Sequence, residues 1–189
     1  MTLDDDAIQR LVAASQQGDP EAFGSLFDAF YGPVYRYVAA RVGRPSDAED
    51  LAQLVFVKAL EALPRYEARG VPFGGWLFRL ARNATIDHVR THHEHVELGA
   101  ATDRAADESG PEVITILRTD LDAVAAALGQ LTPDQREVVS LRFFAGLSSA
   151  EVGAVTGRQE GAVRGLQFRA IATLRRTLGV DAEDRAGTA

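Results

Sequence analysis

The last third of the chain limits the fold most sharply, because it carries two complete helix-start signals close together. Thr132-Pro133-Asp134-Gln135 supplies an N-cap threonine, a proline at the first helical position and a T-x-x-Q capping box, for a helix carrying Val138, Val139, Leu141 and Phe144. Ser148 to Glu151 repeats the signal as S-x-x-E, opening a short helix that Gly157 closes. From about Glu160 to Leu178 the residues Val163, Leu166, Ala170, Leu174 and Leu178 recur on the buried side of a longer, basic helix. Short helix, glycine turn and basic helix is the layout of a helix-turn-helix reader, whose second helix enters the major groove. Arg158, Gln159, Glu160, Ala162, Arg164, Gln167 and Arg169 lie at the start and outer side of that helix. A preceding helix with Leu121, Val124, Ala125 and Leu128 ends near Gly129.

The first half reads as helices too. An opening helix runs from Asp5 or Asp6 to Gln17, and Gly18-Asp19-Pro20 stops it and caps the next. Phe23, Leu26, Phe27, Phe30, Val34, Val38 and Val42 then recur at helical spacing, with Gly32-Pro33 as a kink or break. After the boundary Gly43-Arg44-Pro45, Ser46 and Glu49 form an S-x-x-E capping box for a helix to about Leu63. One face of it, Ala48, Leu51, Val55, Ala59 and Ala62, is core, but Phe56, Leu60 and Leu63 lie on another side beside Glu49 and Gln53. Either a compact bundle wraps both sides, or the second side meets another protein.

Beyond Pro64, a loop with Arg65, Tyr66, Glu67 and Arg69 leads into Phe73 to Arg90. Stepping 100° per residue, Arg82, Asn83, Ile86 and Arg90 fall within about 60° of Arg79, opposite Phe73, Leu77, Leu80, Ala81 and Ala84. Trp76 borders this basic stripe. Guanidinium groups, an amide and an indole on one face suit phosphates, base edges and stacked bases, although packing and plain solvation explain each residue separately. The net charge of -7 conceals a pattern. Residues 64 to 92 hold five basic and two acidic groups, 131 to 178 hold seven and four, and 93 to 130 between them hold two and eight. Two basic islands across an acidic connector would give a polyanion two contact points.

The connector, from His92 to about Glu112, shows no sustained apolar period and reads as a linker. His88, His92, His93 and His95 invite a metal reading, but no H-E-x-x-H pattern is present and no metal or other cofactor is expected. No phosphate-binding G-x-x-x-x-G-K occurs either. The absence of cysteine excludes disulfides, and the acidic start and lack of a ~20-residue apolar run predict a cytoplasmic protein without membrane insertion.

In this order the motifs resemble an extracytoplasmic function (ECF) sigma factor, the compact class of bacterial sigma factors, over residues 20 to 178. Asp47-Ala48-Glu49-Asp50-Leu51-Ala52-Gln53 with Phe56 is similar to the family's polymerase-binding helix. Trp76 to Asn83 with Ile86-Asp87 and Arg90 is similar to its promoter-melting helix. Leu131-Thr132-Pro133, Arg136-Glu137, Glu151, Gly157, Gly161, Val163, Arg169-Ala170 and Leu174 match the third motif. Leu54 stands where the family usually has an acid, and Gln159 and Gly165 depart from the usual last helix. A missing cap and an internal glycine each cost about 1 kcal/mol.

The resemblance implies an all-α, non-enzymatic protein of two small helical domains: an N-terminal helical bundle and a C-terminal helix-turn-helix domain joined by a flexible acidic linker. Its divisions are an extension or first helix at 1–19, a region 2 domain at 20–92, the linker at 93–118, a region 4 domain at 119–178 and a tail at 179–189. It further implies that Asp47, Glu49, Asp50, Gln53, Leu54, Phe56, Val57 and Leu60 bind core RNA polymerase through its β and β′ subunits. Arg65, Tyr66, Arg69, Trp76, Arg79, Arg82, Asn83, Ile86 and Arg90 would meet a melted -10 promoter element. The helix-turn-helix residues named above would read the -35 element in duplex promoter DNA, and regulation would fall to a separate anti-sigma factor. Two other readings stand beside it: an operator-binding regulator, tested by whether core polymerase binds, and a helical metalloenzyme, tested by elemental analysis.

Overall fold

A computed structural model describes residues 4–42, 44–68, 71–97 and 126–179, and every regular element among them is helical. In chain order these are α1 (Asp5–Gln16), α2 (Pro20–Ala39), α3 (Pro45–Ala62), a 3-10 turn (Leu63–Arg65), α4 (Phe73–Glu97), α5 (Pro133–Val139), a π-helical segment (Ser140–Phe144), α6 (Ser149–Thr156) and α7 (Glu160–Leu178). Residues 126–129 are helical as well, ahead of α5. The expected helix over Leu121 to Leu128 is thus seen only at its end; Leu121, Val124 and Ala125 lie outside the described residues, as does the connector from 98 to 125.

Local chemistry starts most of these helices. The Asp4 carboxylate accepts the Ala7 amide at 2.6 Å, and the Asp19 carboxylate accepts the Glu21 and Ala22 amides, with Pro20 at the first helical position. Two local signals are overridden. Of the kink or break expected at Gly32-Pro33 the break is absent: α2 runs on through it, with Leu26 before and Val34, Tyr37 and Val38 after all fully buried on the same core. The Ser46 capping box does not form: Pro45 starts α3 one residue earlier with Arg44 as N-cap, so the Ser46 hydroxyl faces Asp47 instead of a backbone amide. The linker also begins later than expected, since α4 carries the backbone of His92 to Glu97 as helix.

One apolar core joins the elements. Leu26, Tyr37, Val38, Val55, Leu63, Phe73, Leu77 and Phe78 from the first half are continuous with Val138, Leu141, Leu147, Val152, Val155 and Val163 from the second. Within it Phe78 meets Tyr37 edge-on at 5.7 Å, and Phe73 meets Phe30 at 5.4 Å. The helix-turn-helix half therefore rests on α2 and α4. That apposition brings the two basic islands together, where charge counting alone would leave them apart.

Candidate nucleic-acid and polymerase interface

α3 buries one side in the core and leaves another open. Ala48, Leu51, Val55 and Ala59 are buried, as expected. Leu54, Val57 and Leu60 are 41%, 53% and 54% exposed and form an apolar strip beside the exposed Glu49, Asp50 and Gln53. Phe56 departs from its expected role as a partner contact. It is buried against the Phe27 ring at 4.7 Å, with Tyr31 of α2 also beside it at 6.1 Å, and Leu63 is buried too. Asp47 is half-buried, with Oδ2 3.5 Å from His88 Nε2. Among the described residues no group of three or more metal-ligating side chains comes together.

The stripe on α4 divides. Asn83, Ile86 and Arg90 are exposed, with Arg90 donating to Asp87 at 3.3 Å. Trp76 is half-buried between Tyr66 at 4.8 Å and Phe73 at 5.5 Å, and Tyr66, expected to meet DNA, is itself buried, its hydroxyl donating to the Val71 carbonyl. Arg65 is exposed, and Arg69 lies outside the described residues. Arg79 and Arg82 turn toward the second half. Arg79 donates to the Ala154 carbonyl at 3.0 Å, and Arg82 Nε donates to Glu137 Oε1 at 2.7 Å. The basic stripe is therefore not one open surface, because a buried carboxylate 55 residues away claims part of it.

Both capping boxes at Thr132 and Ser148 form with reciprocal bonds, and Gly157 caps α6 with φ 72°, a left-handed turn that glycine adopts freely. The turn is tight: the Arg158 amide donates to the Gly153 carbonyl at 3.0 Å, and a Cβ on Gly153 would lie 2.7 Å from the Arg158 carbonyl oxygen. Gln159 caps α7 without a side-chain bond, as its replacement of serine implies. Arg158 is held by Glu137 and Asp134 at 2.7 Å each; burial alone lowers its basicity, and those two carboxylates raise it overall. Arg164 pairs with Glu160, and Gln167 accepts from Arg142 Nε at 3.0 Å. Gln159, Ala162 and Arg169 are exposed and, with Arg158 and Gly165, line one shallow depression.

Sequence reading passed over one exposed side chain on the outward side of α7. Phe168 is 77% exposed on α7, and helical steps place it opposite the buried Val163 and Ala170, with Gly161, Gly165 and Ala172 around it and Arg164 and Arg175 on its flank. Its large apolar surface on the outward side was the available signal. Leu178, expected inside, is half-exposed at the helix end.

The fold and these surfaces define a helical, helix-turn-helix DNA-binding protein with a second helical body that offers an apolar strip to a partner. Residues 26–94 match the family described as Sigma-70 region 2, and residues 127–176 match Sigma-70, region 4. The chain is 39% identical over 177 residues to the ECF RNA polymerase sigma factor BldN of Streptomyces coelicolor, covering 93% of this chain and 67% of the relative. It is 36% identical to the ECF RNA polymerase sigma factor ShbA of Streptomyces griseus, covering 89% and 93%. The solved structure of CnrH in complex with the cytosolic domain of CnrY is 30% identical, with a TM-score of 0.70 over 94% of this chain and 99% of that one. The chain belongs to the ECF RNA polymerase sigma factor family. Among the described residues no helix is long and apolar enough to cross a membrane.

Proposed function

We propose that the chain docks on core RNA polymerase through the outer side of α3, reads the -35 element with α7, and captures the non-template strand of the -10 element along Asn83, Ile86 and Arg90 with Trp76 at the edge. The observation that carries the docking role is the apolar strip Leu54, Val57 and Leu60, left open on a helix whose other sides are core. Melting then draws on binding energy: an unpaired base held at the border of α4 shifts the duplex toward the open form, and no nucleophile or general base is required. The solved structure of the relative CnrH in complex with the cytosolic domain of CnrY supports a further expectation, that a separate regulatory protein binds this chain as well.

Run-off transcription with purified core enzyme and a mapped promoter tests the reading. Initiation at a defined start site is the expected result; tight duplex binding without initiation would make the chain an operator-binding regulator. Within that assay Asn83→Ala is expected to lower open-complex formation about tenfold, the effect of losing one good base contact, with closed-complex formation unchanged. Permanganate reactivity of unpaired thymines reads the difference. Intact melting in that variant would remove Asn83 from the site.

Phe168→Ala is expected to weaken -35 duplex binding about tenfold without lowering the melting temperature, since the ring touches little of its own fold. On the outward face of α7 an apolar ring suits a thymine methyl group in the major groove. Band-shift titration with -35 duplexes checks it, and thymine-to-uracil replacement should mimic the loss at the contacted position.

A further inference from the structure

Glu137 links the two halves through Arg82, which the family resemblance places among the residues that meet the -10 element. Its carboxylate is 4% exposed, accepts Arg82 Nε at 2.7 Å on one oxygen and Arg158 at 2.7 Å on the other, and has Arg41 3.6 Å away. Arg82 and Arg41 come from the first half, Glu137 and Arg158 from the second. Arg41 also lies over the Tyr37 ring at 5.2 Å, and burial pushes the Tyr37 phenol up to about 12, so that ring stays neutral beside the cluster. Arg79 crosses the same boundary to the Ala154 carbonyl, and a Cβ on Gly74 would lie 4.0 Å from Leu147 Cδ2.

A carboxylate held at 2.7 Å by guanidinium groups makes the charge-assisted contacts that a DNA phosphate would otherwise make. Arg158 and Asp134 share a half with Glu137, so separating the halves leaves that ion pair intact and releases Arg79, Arg82 and Arg41. Arg41, Arg82 and Arg158 against Glu137 and Asp134 also leave one surplus positive charge at the seam, which favours an incoming polyanion over the closed state. We propose that Glu137 is an internal stand-in for promoter phosphate: in the free chain it holds Arg82 and keeps the α4 and helix-turn-helix faces closed on each other, and initiation requires exchanging this latch for DNA. The inference rests on the promoter-reading role proposed above and adds Arg82 to the α4 side chains that meet DNA.

The test uses the full chain, which has no cysteine of its own. Gly74→Cys and Leu147→Cys, joined by a short reducible cross-linker, pin the halves together at a seam outside the proposed contact residues. Bridged protein is expected to give at least about tenfold less run-off product than the same protein after reduction, because only the open fraction can bind. Equal product from bridged and reduced protein would overturn the latch. A folded but inactive reduced protein would overturn the promoter reading, and the latch with it. Separately, Glu137→Gln keeps the shape and removes the charge, and should raise the free chain's affinity for a single-stranded -10 oligonucleotide by roughly three- to tenfold. Arg41→Gln, which touches Glu137 from the first half alone, should act in the same direction and covers the case in which Glu137→Gln unfolds the second half. Unchanged affinity in a folded Glu137→Gln protein, or in Arg41→Gln where Glu137→Gln does not fold, would also overturn the proposal.

Discussion

The double variant Val57→Asp, Leu60→Asp is expected to lose core-polymerase affinity by at least about a hundredfold while keeping its helical content and melting temperature. Both side chains are more than half exposed, so their removal takes almost nothing from the fold, and surface substitutions of this kind usually stay within about 0.5 kcal/mol. At an interface the balance differs. Apolar anchors at the centre of a contact are worth about 2 kcal/mol or more each, and every 1.4 kcal/mol is roughly a factor of ten, so two anchors exceed a hundredfold before the cost of burying two carboxylates is added. Fluorescence titration against purified core enzyme measures the affinity, and circular dichroism checks the fold. Phe56→Asp is the contrasting control: Phe56 is buried against Phe27, so that variant should unfold the first half. If the double variant bound core enzyme normally, the open strip on α3 would not be the docking surface.

What was legible in the sequence depended on how local the cause was. The caps at Asp19, Thr132 and Ser148 act within four residues, and their helices begin where the residue types say. Ser46 carried the same signature, but Pro45 took the first helical position and moved the start past it. Pro33 is a breaker by local rules, and burial of Val34, Tyr37 and Val38 overrides it. On α3, helical spacing correctly placed Phe56 off the main core stripe; what it could not supply was the aromatic wall of α2 that covers Phe56 and leaves Leu60 open. The pairing of Arg82 with Glu137 had no local signal at all. Each residue sits in its own basic segment, and counting charges treats both segments as free, whereas the continuous apolar core brings them within hydrogen-bond distance.

Gly153 illustrates the same gap, and Gly153→Val is expected to abolish -35 duplex binding by destabilising the helix-turn-helix half by about 3 kcal/mol, the upper end of the cost of overpacking a filled site. Read from sequence, a glycine inside a short helix is only a weakness of about 1 kcal/mol relative to alanine. In the structure it is the point where α6 passes under the turn into α7: a Cβ there would stand 2.7 Å from the Arg158 carbonyl oxygen, closer than side chains tolerate, and the obstacle is backbone that cannot rotate aside. Moving that carbonyl would break the hydrogen bond from the Arg158 N–H to the Gly153 carbonyl, displace the Arg158 guanidinium from Glu137 and tilt the first turn of α7. Alanine should cost less than valine, because only the first carbon must be accommodated. Thermal melting followed by circular dichroism, alongside band-shift titration, separates the two steps: a parallel fall in melting temperature and in DNA affinity from Gly153 to alanine to valine is expected, and valine tolerated at the wild-type melting temperature would show that the turn is not packed against α6.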